Sequence, residues 1–175
     1  MTANDHSRLL PRAYYSAPVD VFLASTPETV LGFLAANSEM AVEPPQRDAW
    51  LQEIEILKDS LQGLDGTLFL EFNIPRMGKR IDAVLVSGAV VFVIEFKVGE
   101  KHFTRPDLDQ VWDYALDLKN FHEASHVVSI MPVLVATAAY ASDSILSAPH
   151  EDQVYPPVLG RLGSRLDVRH CVRGH

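Results

Sequence analysis

A mixed α/β domain, with a central sheet flanked by helices, is the fold class this sequence predicts, and three observations carry that expectation. Apolar residues recur at helical spacing up to about residue 62, and beyond Thr67 the spacing shortens to that of strands. Three strand-like runs, Thr67–Ile74, Lys79–Ser87 and Val90–Lys97, follow one another with only short turn segments between them. A helical stretch over 105–122 then precedes a fourth strand-like run, 127–137, so that an antiparallel meander feeds a helical crossover.

Each element has a local reason. A first helix is expected over 26–36, with Ser25 or Thr26 as its cap and Pro27-Glu28 in its first turn. Pro44-Pro45 separates it from a longer helix, 46–62, that ends near Gly63. Thr104 and Asp107 form a cap pair at the start of the 105–122 helix. Residues 1–20, which include Tyr14-Tyr15-Ser-Ala-Pro, read as an irregular lead-in. Past Ala139 the pattern weakens among Pro149, Pro156, Pro157, Gly160 and Gly163, and 161–175 turns basic. Three segments follow: a helical lead-in packed on the core (1–45), the core (46–138), and an extension or joint to a further domain (139–175).

Bulk composition narrows the function classes. The chain has 175 residues, 47 % of them hydrophobic, which suits one globular domain. No apolar run reaches the roughly 18–20 residues that a membrane span requires, and the polar N-terminus lacks a signal-peptide core. The lone Cys171 excludes an intramolecular disulfide and a multi-cysteine zinc site, so a cytoplasmic location is expected. A formal net charge of -8 argues against a protein that coats nucleic acid by bulk electrostatics. It is compatible with a nuclease whose acidity is partly neutralised by a bound metal.

The chemistry-bearing residues cluster between Arg80 and Tyr114. With Ser87-Gly88 as a two-residue turn, Asp82 falls opposite Val93, and Glu95 and Lys97 lie further along the same face. That face also carries Val84, Val86, Val91 and Val93, while Ile81, Ala83, Leu85, Phe92, Ile94 and Phe96 form the other. Charges at the end of an apolar face are costly unless paired, hydrogen-bonded or metal-bound. Two readings stay open: an internal ion pair, or a site where two carboxylates hold a divalent cation beside a lysine. Glu53 falls inside the apolar stripe Trp50, Ile54, Leu57, Leu61 and Leu64, where a metal, Lys58 or an arginine would partner it. Gln110 and Tyr114 share a helix face one turn apart; Tyr114 belongs to a packing stripe with Val111, Ala115, Leu118 and Phe121, and Gln110 lies at its edge. Glu71, Lys79 and Arg80 are within reach of a substrate. His122 and His126 read as solvent-side histidines.

Glu53, Asp82, Glu95-Phe96-Lys97 and the Gln110-to-Tyr114 pair, in this order, resemble the PD-(D/E)XK nuclease superfamily and its RecB-like branch. Asp82 matches the first acidic position, Glu95 to Lys97 the E-x-K element, and Gln110 to Tyr114 the Q-x-x-x-Y motif. Ile81 stands where proline is common. The resemblance implies a restriction-endonuclease-like αβββαβ core over about 46–138. A longer phrase, including Ile74-Pro-Arg76 and Asp113-Tyr-Ala-Leu-Asp-Leu-Lys-Asn-Phe-His122, is similar to the N-terminal region of large bacterial helicase-like proteins. No Gly-x-x-x-x-Gly-Lys-Ser/Thr accompanies it.

On that resemblance the expected activity is Mg²⁺- or Mn²⁺-dependent hydrolysis of DNA, by a stand-alone or truncated module of a helicase-nuclease or phage-defence system. Asp82, Glu95 and the backbone carbonyl of Phe96 would hold the metal, with Glu53 direct or through water. Lys97 would position the attacking water or stabilise developing charge. Gln110 and Tyr114 would orient the nucleic-acid backbone or the metal-site waters, and Lys79, Arg80 and Gln110 would touch substrate. The partners expected are DNA, with RNA left open, a helicase or other partner domain, and a second copy of the chain; no membrane is expected. The alternative is a catalytically silent module of the same fold that binds a partner or nucleic acid, and a third reading is a regulatory or antitoxin-like partner.

Overall fold

The computed structural model describes residues 12–74, 77–139 and 147–161. In chain order these form β1 (Tyr15–Pro18), α1 (Val19–Ala24), α2 (Pro27–Asn37), α3 (Pro44–Ser60), β2 (Thr67–Ile74), β3 (Lys79–Ser87), β4 (Val90–Lys97), α4 (Arg105–Phe121), β5 (Ser129–Ala136) and β6 (Val158–Arg161). The strands lie side by side in chain order, β1-β2-β3-β4-β5-β6, in one sheet. β1 to β4 are mutually antiparallel, and β4, β5 and β6 are parallel. The protein is thus α/β with a six-stranded mixed open sheet. Among the described residues no helix is long and apolar enough to cross a membrane.

The central elements follow their sequence signals. Thr26 caps α2, its side chain accepting the Thr29 N–H, and Thr104 caps α4 by accepting the Asp107 N–H. β2, β3 and β4 have the expected bounds. The outer strands differ from expectation: the lead-in contains β1 and α1, and the Pro- and Gly-punctuated tail contributes β6. Each of these strands has four residues, too few for an alternating pattern to stand out. The basic stretch beyond Arg161, with Cys171, lies outside the described residues.

Two details of the meander correct the sequence reading. Ser87 pairs with Val90 and Val84 with Val93, so Gly88-Ala89 is the turn and not Ser87-Gly88. Gly88, at φ 58°, takes the left-handed first position that such a turn needs. Ser87 stays in β3, and its hydroxyl donates to the Asp65 carbonyl at 2.7 Å. Asp82 accordingly stands across from Glu95 and not Val93.

The second correction concerns Ile81, which does not share a face with Ala83 and Leu85. Leu68, Leu70, Ala83 and Leu85 pack with Trp50, Ile54 and Leu57 beneath α2 and α3. Phe72, Ile74 and Ile81 pack with Val111, Ala115 and Leu118 beneath α4. β2 and β3 therefore exchange faces between Leu70 and Phe72 and between Ala83 and Ile81. Glu71, at φ 53°, is the non-glycine residue whose left-handed backbone interrupts the alternation. The ladder between the two strands skips the Glu71–Asp82 pair.

Gly66 ties the N-terminal layer to this meander. Its carbonyl accepts the Val19 N–H at 2.9 Å. At φ 144°, a Cβ there would run into the carbonyl of Val86, which is backbone and cannot swing away. Gly66→Ala is expected to destabilise the fold by about 2–4 kcal/mol, read as a fall in the urea midpoint at unchanged slope.

Candidate functional site

The site forms where β3 and β4 part. Their ladder ends at Ala83–Ile94. Beyond it β3 stays with β2 as far as Ile74–Lys79, and β4 stays with β5 as far as Lys97–Ala136. In the notch between them, the Phe96 N–H donates to Asp82 Oδ2 at 2.7 Å in place of a strand carbonyl. The N–H and C=O of one antiparallel-strand residue point toward the same neighbour, so the Phe96 carbonyl also faces the notch.

Glu95 lines the other wall and is 5 % exposed. Its Oε1 accepts from Gln110 Nε2 at 2.9 Å and lies 3.3 Å from Lys97 Nζ. Its Oε2 is buried and has no hydrogen-bond partner. Gln110 closes a triangle: its Oε1 accepts from Lys97 Nζ at 2.8 Å, and its Nε2 also donates to the Tyr114 hydroxyl at 2.8 Å. An amide is the group that can accept from a cation and donate to an anion at once. Glu95, Lys97, Gln110 and Tyr114, from β4 and α4, thus form one network, and Asp82 of β3 is tied to the same stretch of β4 through the Phe96 N–H.

Glu53 approaches from α3. Its carboxyl is pushed up to about 9, by burial first and then by the charges of Asp82, Glu71 and Glu95. Lys58 does not pair with it, because the Lys58 ammonium donates to the carbonyls of Phe22 (2.7 Å) and Leu23 (3.1 Å) at the end of α1. Burial lowers the pKa of that lysine. Burial and then the neighbouring Glu95 charge hold Asp82 well above the ordinary aspartate range, against the lowering effect of the Phe96 N–H. Glu95 is raised by burial, with Lys97 opposing.

The sequence placed Glu71 among substrate-facing groups, but it belongs to the interior of the site. Trp50 Nε1 donates to its Oε1 at 2.7 Å, and Arg80 stands 3.6 Å from its Oε2. Burial raises its pKa despite both partners. A carboxylate between Leu70 and Phe72 in a strand was the available signal, of the same kind that marked Glu53. Lys79 and Arg80 stand two and three residues before Asp82. Lys79 is 3.3 Å from Asp117 and 5.7 Å from the Tyr114 ring centre, and Arg80 stacks 4.4 Å from the Tyr14 ring centre. His126 is exposed, whereas His122 is half-buried, edge-on to Phe72 with its Nδ1 2.8 Å from Ser125 Oγ.

Four desolvated carboxylates, Glu53, Glu71, Asp82 and Glu95, therefore share one region with Lys97 and Arg80. Oxygen donors, mutual repulsion and an unpartnered buried Oε2 fit a hard divalent cation. The carboxylates ring the notch without closing on one point: among the described residues no three His, Cys, Asp or Glu side chains form a ready metal cage.

The Glu53 shift fixes a sign for pH dependence. Its folded pKa of about 9 exceeds the ordinary 4.5, so its contribution to stability is fully present below 4.5 and is lost as pH rises toward 9. In EDTA, the melting temperature is expected to fall between about pH 5 and pH 9, and Glu53→Gln to flatten that slope, as read by scanning fluorimetry.

No protein-family model matches the chain, and no curated protein and no solved structure matches it.

Proposed function

We propose that this chain is a metal-dependent nuclease module of the PD-(D/E)XK type that hydrolyses phosphodiester bonds in DNA. The observation that carries the reading is the notch between β3 and β4, where Asp82, the Phe96 backbone and the unpartnered Glu95 Oε2 face one another beside Lys97. The order α3–β2–β3–β4–α4–β5 supports an αβββαβ, restriction-endonuclease-like core.

Asp82, Glu95 and the Phe96 carbonyl would hold Mg²⁺ or Mn²⁺, with Glu53 on the α3 side reaching it directly or through water. When bound, such an ion polarises a phosphate and lowers the pKa of an attacking water. The chain's own groups supply the rest. The Lys97 ammonium, held by Gln110 and Glu95, stabilises negative charge that develops on the phosphate oxygens. The Gln110 amide fixes both Glu95 and Lys97, so the two charges keep their spacing when substrate arrives. Tyr114 anchors that amide, and Lys79 and Arg80 are the cations that would meet the flanking backbone. A helicase or other partner domain would supply the grip on nucleic acid that a net charge of -8 does not.

A second reading, a module of the same fold that binds a partner without cleaving, is favoured by the absence of a ready metal cage among the described residues and by the engagement of Glu95 Oε1 within the protein.

Calorimetric titration with Mn²⁺, run beside plasmid and single-stranded DNA cleavage, separates the two. The wild type is expected to bind Mn²⁺ and cleave. Asp82→Ala is expected to lose affinity by at least about 10–100-fold and to lose cleavage, while its stability in EDTA holds or rises because buried like charges are relieved. Metal binding without cleavage would favour the second reading, and a destabilised Asp82→Ala that never bound metal would mark a structural ion network.

A further inference from the structure

Asp107 is a charged group beside this site to which the mechanism above gives no part. It stands in the first turn of α4, three residues before Gln110, so the two side chains share a helix edge. Its two oxygens are divided between tasks. Oδ2 accepts from the Thr104 hydroxyl at 2.5 Å, completing the start of α4. Oδ1 is directed elsewhere and lies 3.6 Å from Lys97 Nζ.

The neighbouring acid shows that this direction is not a general property of the helix start. Asp109 pairs with Arg105 at 3.0 Å in solvent, where their side chains are 58 % and 85 % exposed. Asp107 and Lys97 are only 20 % and 21 % exposed. Lys97 Nζ is hydrogen-bonded to Gln110 Oε1 at 2.8 Å and to Glu95 Oε1 at 3.3 Å, and it forms an ion pair with Asp107 Oδ1 at 3.6 Å, beyond hydrogen-bond length. A lysine stem is long and flexible, so a half-buried carboxylate charge on a separate element restrains an ammonium that two hydrogen bonds leave freer to swing.

We propose that Asp107 is a positioning residue that fixes the Lys97 ammonium at the mouth of the notch and ties it to the N-terminus of α4. Glu95 is the acceptor that a cation in the notch would draw away. Asp107 has no such competing task, and its hold on Lys97 persists when the notch is filled. The catalytic consequence rests on the nuclease reading above; the placement of the ammonium does not.

The test has two arms. In ¹⁵N-labelled protein, the Lys97 ammonium resonance is assigned by its loss in Lys97→Arg. It is expected to exchange slowly with water in the wild type and in Asp109→Asn, and to vanish into fast exchange in Asp107→Asn, with partial return in Asp107→Glu. In Mn²⁺-supported DNA cleavage, Asp107→Asn is expected to lower kcat by about tenfold or more with KM within about twofold. Asp109→Asn, which removes only the exposed pair with Arg105 on the same turn, is expected to leave kcat unchanged. A Lys97 resonance that is absent from the wild type, or unchanged in Asp107→Asn, overturns the proposal, as does an unchanged kcat in a variant that has lost the resonance. If the wild type cleaves no DNA, the nuclease reading fails and the resonance alone decides whether Asp107 places Lys97.

Discussion

Holding four carboxylates out of water in one place is the constraint on which the rest of this structure depends. Burial pushes all four toward the protonated form, and the charges of neighbouring carboxylates add to that push at Glu53 and Asp82. A fold does not keep such a set without compensation, and here the compensation is specific. Trp50 donates to Glu71, the Phe96 N–H to Asp82, and Gln110 to Glu95. Each donor comes from a different element, so α3, β4 and α4 are all held to the meander through the acids themselves. Glu53 has no donor in this set, and its pKa rises to about 9.

The backbone accommodates the acids at the point where it departs from regular sheet. Glu71 in a left-handed conformation turns β2 over, β3 turns with it, and the β3–β4 ladder ends one residue short of Asp82. Left-handed backbone is uncommon in a residue with a Cβ and persists where the surroundings over-determine it. The Trp50 and Arg80 contacts to the same side chain provide that determination. The result is an opening within a sheet whose two faces are otherwise covered by apolar side chains.

How much of this was legible in the sequence follows from the length and chemistry of each piece. β2, β3 and β4 carry eight or nine residues each, enough for their pattern to set their bounds. α4 announced itself through Thr104 and its apolar stripe, although the expected last member of that stripe, Phe121, is exposed. Asp82, Glu95, Lys97, Gln110 and Glu53 were readable because a charged or amide group on an apolar face has to be satisfied somehow. Three features were not readable. Gly88 fits either of two overlapping turns, and only the placement of Ser87 against Asp65 selects one. The face exchange begins at a glutamate, a residue type that gives no hint of positive φ. β6 is four residues long and depends on β5 for its partner, so its evidence is tertiary.

The strand order carries a consequence of another kind. Every strand lies beside the strands before and after it in the chain, and none has to be inserted between two that are already paired. Such an order lets the sheet grow by addition at one edge, in the order in which a ribosome would deliver it. Contacts that are near in sequence close before distant ones and do so at low entropic cost. Asp82 and Glu95 meet as soon as one hairpin closes, before Lys97 has the helix that restrains it. In that order of growth the acids would meet before Gln110 is in place, and α4 would be the element that completes the notch.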